Sequence, residues 1–120
     1  MGIKVKTSGN FKNTEKYLKT HEKSAYTEDQ IYQIAEKAVE LFSKNTPSSS
    51  GKTAESWSYE VIQHNGEYII ELHNSNIQNG YNIAILVDEG HATKSGNYVS
   101  GKHYIDHTIK EIFKYIKTIQ

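Results

Sequence analysis

The residues Gly51-Lys52-Thr53 end a stretch that resembles the phosphate-cradling loop G-x-x-x-x-G-K-[ST], whose backbone amides wrap a phosphate while the lysine meets its charge. That loop requires a first glycine five positions before Gly51, and this chain has Thr46 there, followed by Pro47. It also requires a buried strand before the loop and a helix after it, so that the helix N-terminus and the loop amides face the anion together. A second candidate is histidine-based. His103 and His107 stand four apart in a helical pattern, with His91, Asp88 and Glu89 close by in sequence. Such a pair can chelate zinc, but H-E-x-x-H carries glutamate directly after its first histidine, and here Tyr104 follows His103. Solvated or hydrogen-bonding histidines are the plainer reading. Asp88-Glu89 offers two carboxylates for acid–base work, although acids before a glycine equally suit a solvated turn. No G-x-S-x-G elbow presents any of the serines as a nucleophile.

The elements around these residues decide between the readings. Thr27 with Gln30 makes a capping box, and Ile31, Ile34, Ala35, Ala38, Leu41 and Phe42 recur at helical spacing, predicting a helix over 28–44. Pro47 and Ser48-Ser49-Ser50 stop it. Trp57, Tyr59 and Val61 then alternate with Ser58 and Glu60, as do Tyr68, Ile70 and Leu72 with Ile69, Glu71 and His73. Asn65-Gly66 between them predicts a two-residue hairpin turn with Val61 opposite Ile70 and Tyr59 opposite Leu72, one apolar face for both strands. The strands are expected over about 57–63 and 68–73. The short run over 83–87 fits a strand or a helix equally, and Ile105, Ile109, Ile112, Phe113 and Ile116 predict an amphipathic helix over 104–117. At the start, Ile3 and Val5 suggest a short edge strand, and Phe11 and Leu18 a modest helix after Asn10. The expected class is α+β: N-terminal helices, an antiparallel sheet built on the central hairpin and a C-terminal helix. Gly51-Lys52-Thr53 then falls between a helix and a strand, the reverse of what phosphate binding needs, and reads as a connecting turn.

Composition narrows the function classes. A chain of 120 residues suits one domain over 1–120, of which 1–26 reads as a loosely packed arm. There is no cysteine, hence no disulfide and no thiolate chemistry. The net charge is zero and every basic residue is lysine, which argues against a general nucleic-acid binder. No apolar run is long enough to span a membrane, the polar start "MGIKVKTSGNFK" lacks a signal-peptide pattern, and Lys6 disfavours myristoylation of Gly2. Synthesis in a cytoplasm is expected. The nine tyrosines are many for a core of this size: they suit surfaces such as subunit interfaces, and they equally suit simple cover for a small core.

Three blocks, "TPSSSGKTAESWSYEV", "NSNIQNGYNIAILVDEGH" and "SGNYVSGKHYIDHTIKEIF", together resemble the signature of a bacteriophage tail-component family. Its members, in phages and prophages with long non-contractile tails, are tail-completion, head–tail joining or minor capsid proteins. The matching positions are Thr46-Pro47, Gly51, Ser56-Trp57, Asn74, Gly90-His91, Gly96, Tyr98-Val99 and Gly101, with Tyr104-Ile105 opening the last helix. The chain departs from the pattern at His73 and Glu89, where aromatics are common, and in lacking a proline after Ile105.

The resemblance implies a non-enzymatic virion protein of the neck or tail, synthesised in the host bacterial cytoplasm. It would form a ring, a homohexamer, between the head connector proteins and the tail tube or terminator protein. It would use no cofactor, catalytic residue or metal, have no membrane partner and at most touch the packaged DNA transiently. Pro47, Gly51, Trp57, Asn74, Gly90, His91, Gly96, Tyr98, Val99, Gly101, Tyr104 and Ile105 would then be structural or interface residues, and "HATKSGNYVSGK" a loop reaching a neighbour or lining the channel. Two alternatives from other classes are a small metal-dependent hydrolase using His91, His103 and His107, and a DNA-contacting module using lysines such as Lys94 and Lys102.

Overall fold

Thr27 caps the first long helix as the Thr-x-x-Gln pattern predicts: Gln30 N donates to Thr27 Oγ1 at 3.1 Å, and Thr27 N to Gln30 Oε1 at 2.9 Å. The structure, a computed structural model, describes residues 2–7, 15–19, 26–47, 51–93 and 95–119. Helix α1 spans Glu28–Asn45 and buries all six residues of the predicted stripe. Thr46 and Pro47 end it, with Thr46 in extended backbone, the conformation a following proline imposes.

A four-stranded sheet receives that stripe. Its strands are β1 (Gly2–Thr7), β2 (Glu15–Lys19), β3 (Trp57–His64) and β4 (Glu67–Asn74), in the order β2-β1-β4-β3. The β3–β4 hairpin has the predicted register, Val61 opposite Ile70 and Tyr59 opposite Leu72. Asn65 and Gly66 both take positive φ, 50° and 78°, the paired left-handed turn that matches the twist of the strands it joins.

The N-terminal part departs from expectation. Over Glu15–Lys19 the chain is strand β2, antiparallel to β1, where a helix was expected; Phe11 lies outside the described residues. Two apolar residues seven apart give no helical stripe to offset the cost of helix nucleation, whereas β1 offers an edge to pair with. As a result β1 is an inner strand, not an edge, and it runs parallel to β4 with Val5 beside Ile70. Ile3 and Val5 lie in the core, so this portion of 1–26 is packed into the domain.

Helix α4 (Tyr104–Thr118) buries Ile105, Ile109, Ile112 and Ile116. It packs antiparallel on α1. Gln30 Nε2 near the start of α1 donates to Ile119 O at 3.2 Å, and Asn45 Nδ2 at its end donates to Thr108 Oγ1 at 3.0 Å. The remaining elements are α2 (Gly51–Glu55), just before β3, and, between β4 and α4 in the chain, hairpin β5 (Ile77–Gln78) and β6 (Tyr81–Asn82), helix α3 (Ile83–Glu89), and hairpin β7 (Gly90–Ala92) and β8 (Tyr98–Ser100). The run over 83–87 is therefore helical. Asn82 caps it, its Oδ1 accepting from Ile85 N. No helix among the described residues is long and apolar enough to cross a membrane.

Candidate functional site

The family-like residues gather into two supports with an exposed hairpin attached to each. The first support is a buried polar clamp. Thr46 Oγ1 donates to Phe42 O at 2.6 Å and accepts from Trp57 Nε1 at 2.9 Å, while the Trp57 ring lies 4.7 Å from Phe42. Gly51-Lys52-Thr53 forms the start of helix α2, not the turn expected from sequence. Thr53 is buried, and both its oxygens are occupied: Asn74 Nδ2 donates to its carbonyl and Asn76 Nδ2 to its hydroxyl, each at 2.8 Å. Asn74 Oδ1 in turn accepts from Asn76 N at 2.9 Å. Each buried polar atom in this set has a partner, which is what allows so many amides under a core. Pro47 and Gly51 flank the clamp, and Lys52 faces solvent.

From this clamp leaves hairpin β5–β6. Asn79 and Gly80 take φ of 52° and 81°, a second Asn-Gly hairpin turn. It presents Ile77 and Tyr81, 60% and 59% exposed.

The second support joins α3 to α4. Lys102 N donates to Val87 O at 2.9 Å and His103 N to Asp88 O at 3.0 Å. Asp88 Oδ1 then accepts from Ile105 N at 2.9 Å, so the aspartate caps α4 from a distant part of the chain. Asp88 is thus a helix cap rather than part of a solvated turn. Glu89 contributes its carbonyl, which accepts from Tyr98 Oη at 3.1 Å, and Tyr104 Oη donates to Ala84 O at 2.8 Å. Burial pushes the Tyr104 phenol well above its ordinary range, with the Asp88 charge adding to the effect.

Gly90 and Gly101 let the two backbones meet. A Cβ on Gly90 would stand 2.6 Å from Gly101 N, Val99 O and the Tyr98 hydroxyl. Beyond them β7 and β8 pair His91 with Val99, which makes "HATKSGNYVSGK" a hairpin with Gly96 near its tip at φ 88°. Tyr98 and Val99 are 66% and 44% exposed.

The histidine-based site does not assemble. His103 is the N-cap of α4 in left-handed backbone at φ 51°, so it stands outside the helix and loses the i, i+4 geometry with His107. His107 instead faces Glu111, with Nε2 3.6 Å from Oε1. His91 is half-buried, and its Nδ1 has no hydrogen-bond partner among the described residues. Lys94 lies outside the described residues, and Lys102 is exposed.

Burial also raises the Asp88 carboxyl above its ordinary range, against the lowering effects of the Ile105 amide and His103. Its neutral form is thus favoured on folding. That contribution is complete below pH 3.8 and is lost as pH rises through the raised value. Asp88→Asn keeps an acceptor for Ile105 N, so its stability relative to wild type should improve with pH across that window and then level off. Asp88→Ala removes the cap and should cost about 1 kcal/mol. Urea unfolding of both variants between pH 3.5 and 7 on the order of half-unit steps checks the two effects.

Comparison with known protein families, with curated protein sequences and with solved structures finds no match to this chain.

Proposed function

We propose that this protein is a non-enzymatic structural subunit of the neck or tail of a long-tailed bacteriophage. In this reading it is a tail-completion or head–tail joining protein that forms a ring between the head connector and the tail tube. The observation that carries the reading is the pair of hairpins, β5–β6 and β7–β8, which hold Ile77, Tyr81, Tyr98 and Val99 out in solvent while rigid supports anchor their bases. Aromatic residues of this kind are enriched at the buried centres of interfaces, where ring area is covered and the hydroxyl keeps a polar partner.

Shape supports the same reading. The radius of gyration is 15.2 Å, against about 13.6 Å for a compact chain of this length. Ladders only two or three residues long are weak as free elements and gain from a neighbour's surface. The family-like residues occupy supports and hairpins in agreement with a role in building an assembly.

The test is solution sizing with electron microscopy, on the protein alone and with its connector and tube partners. Discrete rings are expected, with hydrogen exchange over 90–101 slowing on assembly. Tyr81→Asp combined with Tyr98→Asp should disperse the rings and leave the far-ultraviolet circular dichroism of the subunit unchanged. Rings that survive both charges would remove the hairpins from the interface. A chain that stays monomeric with every partner present would remove the ring.

A further inference from the structure

The hairpin register sets two acids directly across from one another on the sheet face opposite the core: Glu60 on β3 pairs with Glu71 on β4. Like charges at such positions repel. His73 follows Glu71 by two residues on β4 and shares that face. Its Nε2 lies 3.0 Å from Glu71 Oε1 and 3.4 Å from Glu60 Oε2. One ligating atom from each of the three residues falls within 4.8 Å of the other two.

The imidazole nitrogen is the informative atom. It is sealed from solvent, with less than 1 Å² accessible, and it makes no hydrogen bond although two carboxylate oxygens stand beside it. With hydrogen-bond geometry to neither oxygen, this nitrogen is left available to a ligand that both carboxylates could share. An ion about 2.1 Å from each ligand sets neighbouring ligand atoms roughly 3.0 Å apart in octahedral and 3.4 Å in tetrahedral coordination. The two observed separations lie within the span these geometries set. Lys6, beside Glu71 in the β1–β4 register, holds Glu71 Oε2 at 3.1 Å and leaves Oε1 to face His73.

We propose that Glu60, Glu71 and His73 form a divalent metal site and that zinc is the ion it takes. One imidazole with two carboxylates suits zinc, while magnesium and calcium favour oxygen ligands throughout. The Glu60 side chain is 60% exposed, so the outer side of the ion is open to water or to a ligand from another molecule. Binding would cross-link β3 to β4 and neutralise the Glu60–Glu71 repulsion. The three residues lie on the sheet face opposite Trp57 and Asn74 of the clamp and on neither exposed hairpin, so metal binding is tested separately from ring assembly.

The experiment is calorimetric titration of untagged, metal-stripped full-length protein with zinc chloride, together with thermal unfolding with and without the ion. One zinc per chain at micromolar affinity or tighter is expected, with a melting temperature raised by several degrees. His73→Ala and Glu60→Gln should each weaken binding by at least about tenfold. The metal-free circular dichroism of Glu60→Gln should match wild type, and His107→Ala should bind as wild type does. Because Glu60 is exposed, Glu60→Gln keeps the test valid even where His73→Ala unfolds. No saturation below about 100 µM zinc overturns the proposal, a limit well above the affinities of built zinc sites. So does wild-type affinity in either ligand variant, or binding lost on His107→Ala.

Discussion

Replacing Trp57 with alanine should destabilise the folded chain by about 3–5 kcal/mol, the range for removing a buried aromatic ring. Trp57 is 8% exposed and packs on Phe42 at the seam where β3 meets α1. Its loss would leave a void between the sheet and that helix. A second cost falls on Thr46, whose hydroxyl accepts the indole proton while donating to Phe42 O. Trp57→Phe separates the two contributions. It retains most of the apolar volume but removes the hydrogen bond and part of the ring, and should cost about 1–2 kcal/mol. Typical domains are stable by only about 5–15 kcal/mol, so the alanine variant should unfold at a much lower urea midpoint with an unchanged slope. The exposed edge of the ring lines an open groove of about 320 Å³ with Glu36, Val39, Ser58 and Tyr59. A midpoint unchanged in the isolated chain, paired with lost ring formation, would move the role of Trp57 from the core to that groove and to an interface.

The same residue shows how far the sequence could be read. Alternation around Trp57 and the Asn65-Gly66 turn were enough to place the hairpin and its register, because turn geometry and burial demand the same pairing. The six-residue stripe of α1 was legible for a similar reason: cap and periodicity agree. Where only one signal was present, the reading failed. Phe11 and Leu18 behind the cap candidate Asn10 gave only two apolar positions and no stripe, and the partner that makes Glu15–Lys19 a strand is β1, remote information no local window contains. Hairpin β5–β6 is a different case. Asn79-Gly80 is the same turn signal as Asn65-Gly66, but the flanking ladder is two residues long and shows no alternation.

The candidate-site residues divide along the same line. Thr46, Trp57, Asn74, Gly90 and Gly101 stood out as a pattern, yet the partnership of Thr53 with Asn74 and Asn76 is a contact between helix α2 and the end of β4 that spacing does not reveal. Glu60, Glu71 and His73 could have been found. Once Tyr59 is set opposite Leu72, Glu60 must face Glu71 and Ser58 must face His73. The histidines nearer the chain end drew the metal reading instead, through an i, i+4 spacing that fails because His103 lies outside the helix.

Gly90→Ala should cost about 2–5 kcal/mol, as the sum of left-handed backbone strain and steric overpacking at one position. At φ 86° any Cβ is strained, and this one would meet Gly101 N and Val99 O at 2.6 Å. Those are backbone atoms, so no rotamer change relieves the clash; strands β7 and β8 have to separate. Separation would carry further than the hairpin. Residues 101–103 lead directly into α4, and Lys102 N and His103 N are bonded to Val87 O and Asp88 O, so the cap that Asp88 gives Ile105 would shift as well. Gly96 provides the internal control. Its φ is 88°, nearly that of Gly90, but a Cβ there meets nothing within 4 Å. Gly96→Ala should therefore cost only the backbone strain, about 1 kcal/mol. Thermal unfolding of the two variants measures the difference. Equal losses would mean that strain alone, not the meeting of Gly90 with Gly101, fixes this junction. Under the assembly reading Gly96→Ala should still form rings, whereas Gly90→Ala should form none even under conditions in which its core remains folded, because Tyr98 and Val99 would no longer be held at a fixed angle to α3 and α4.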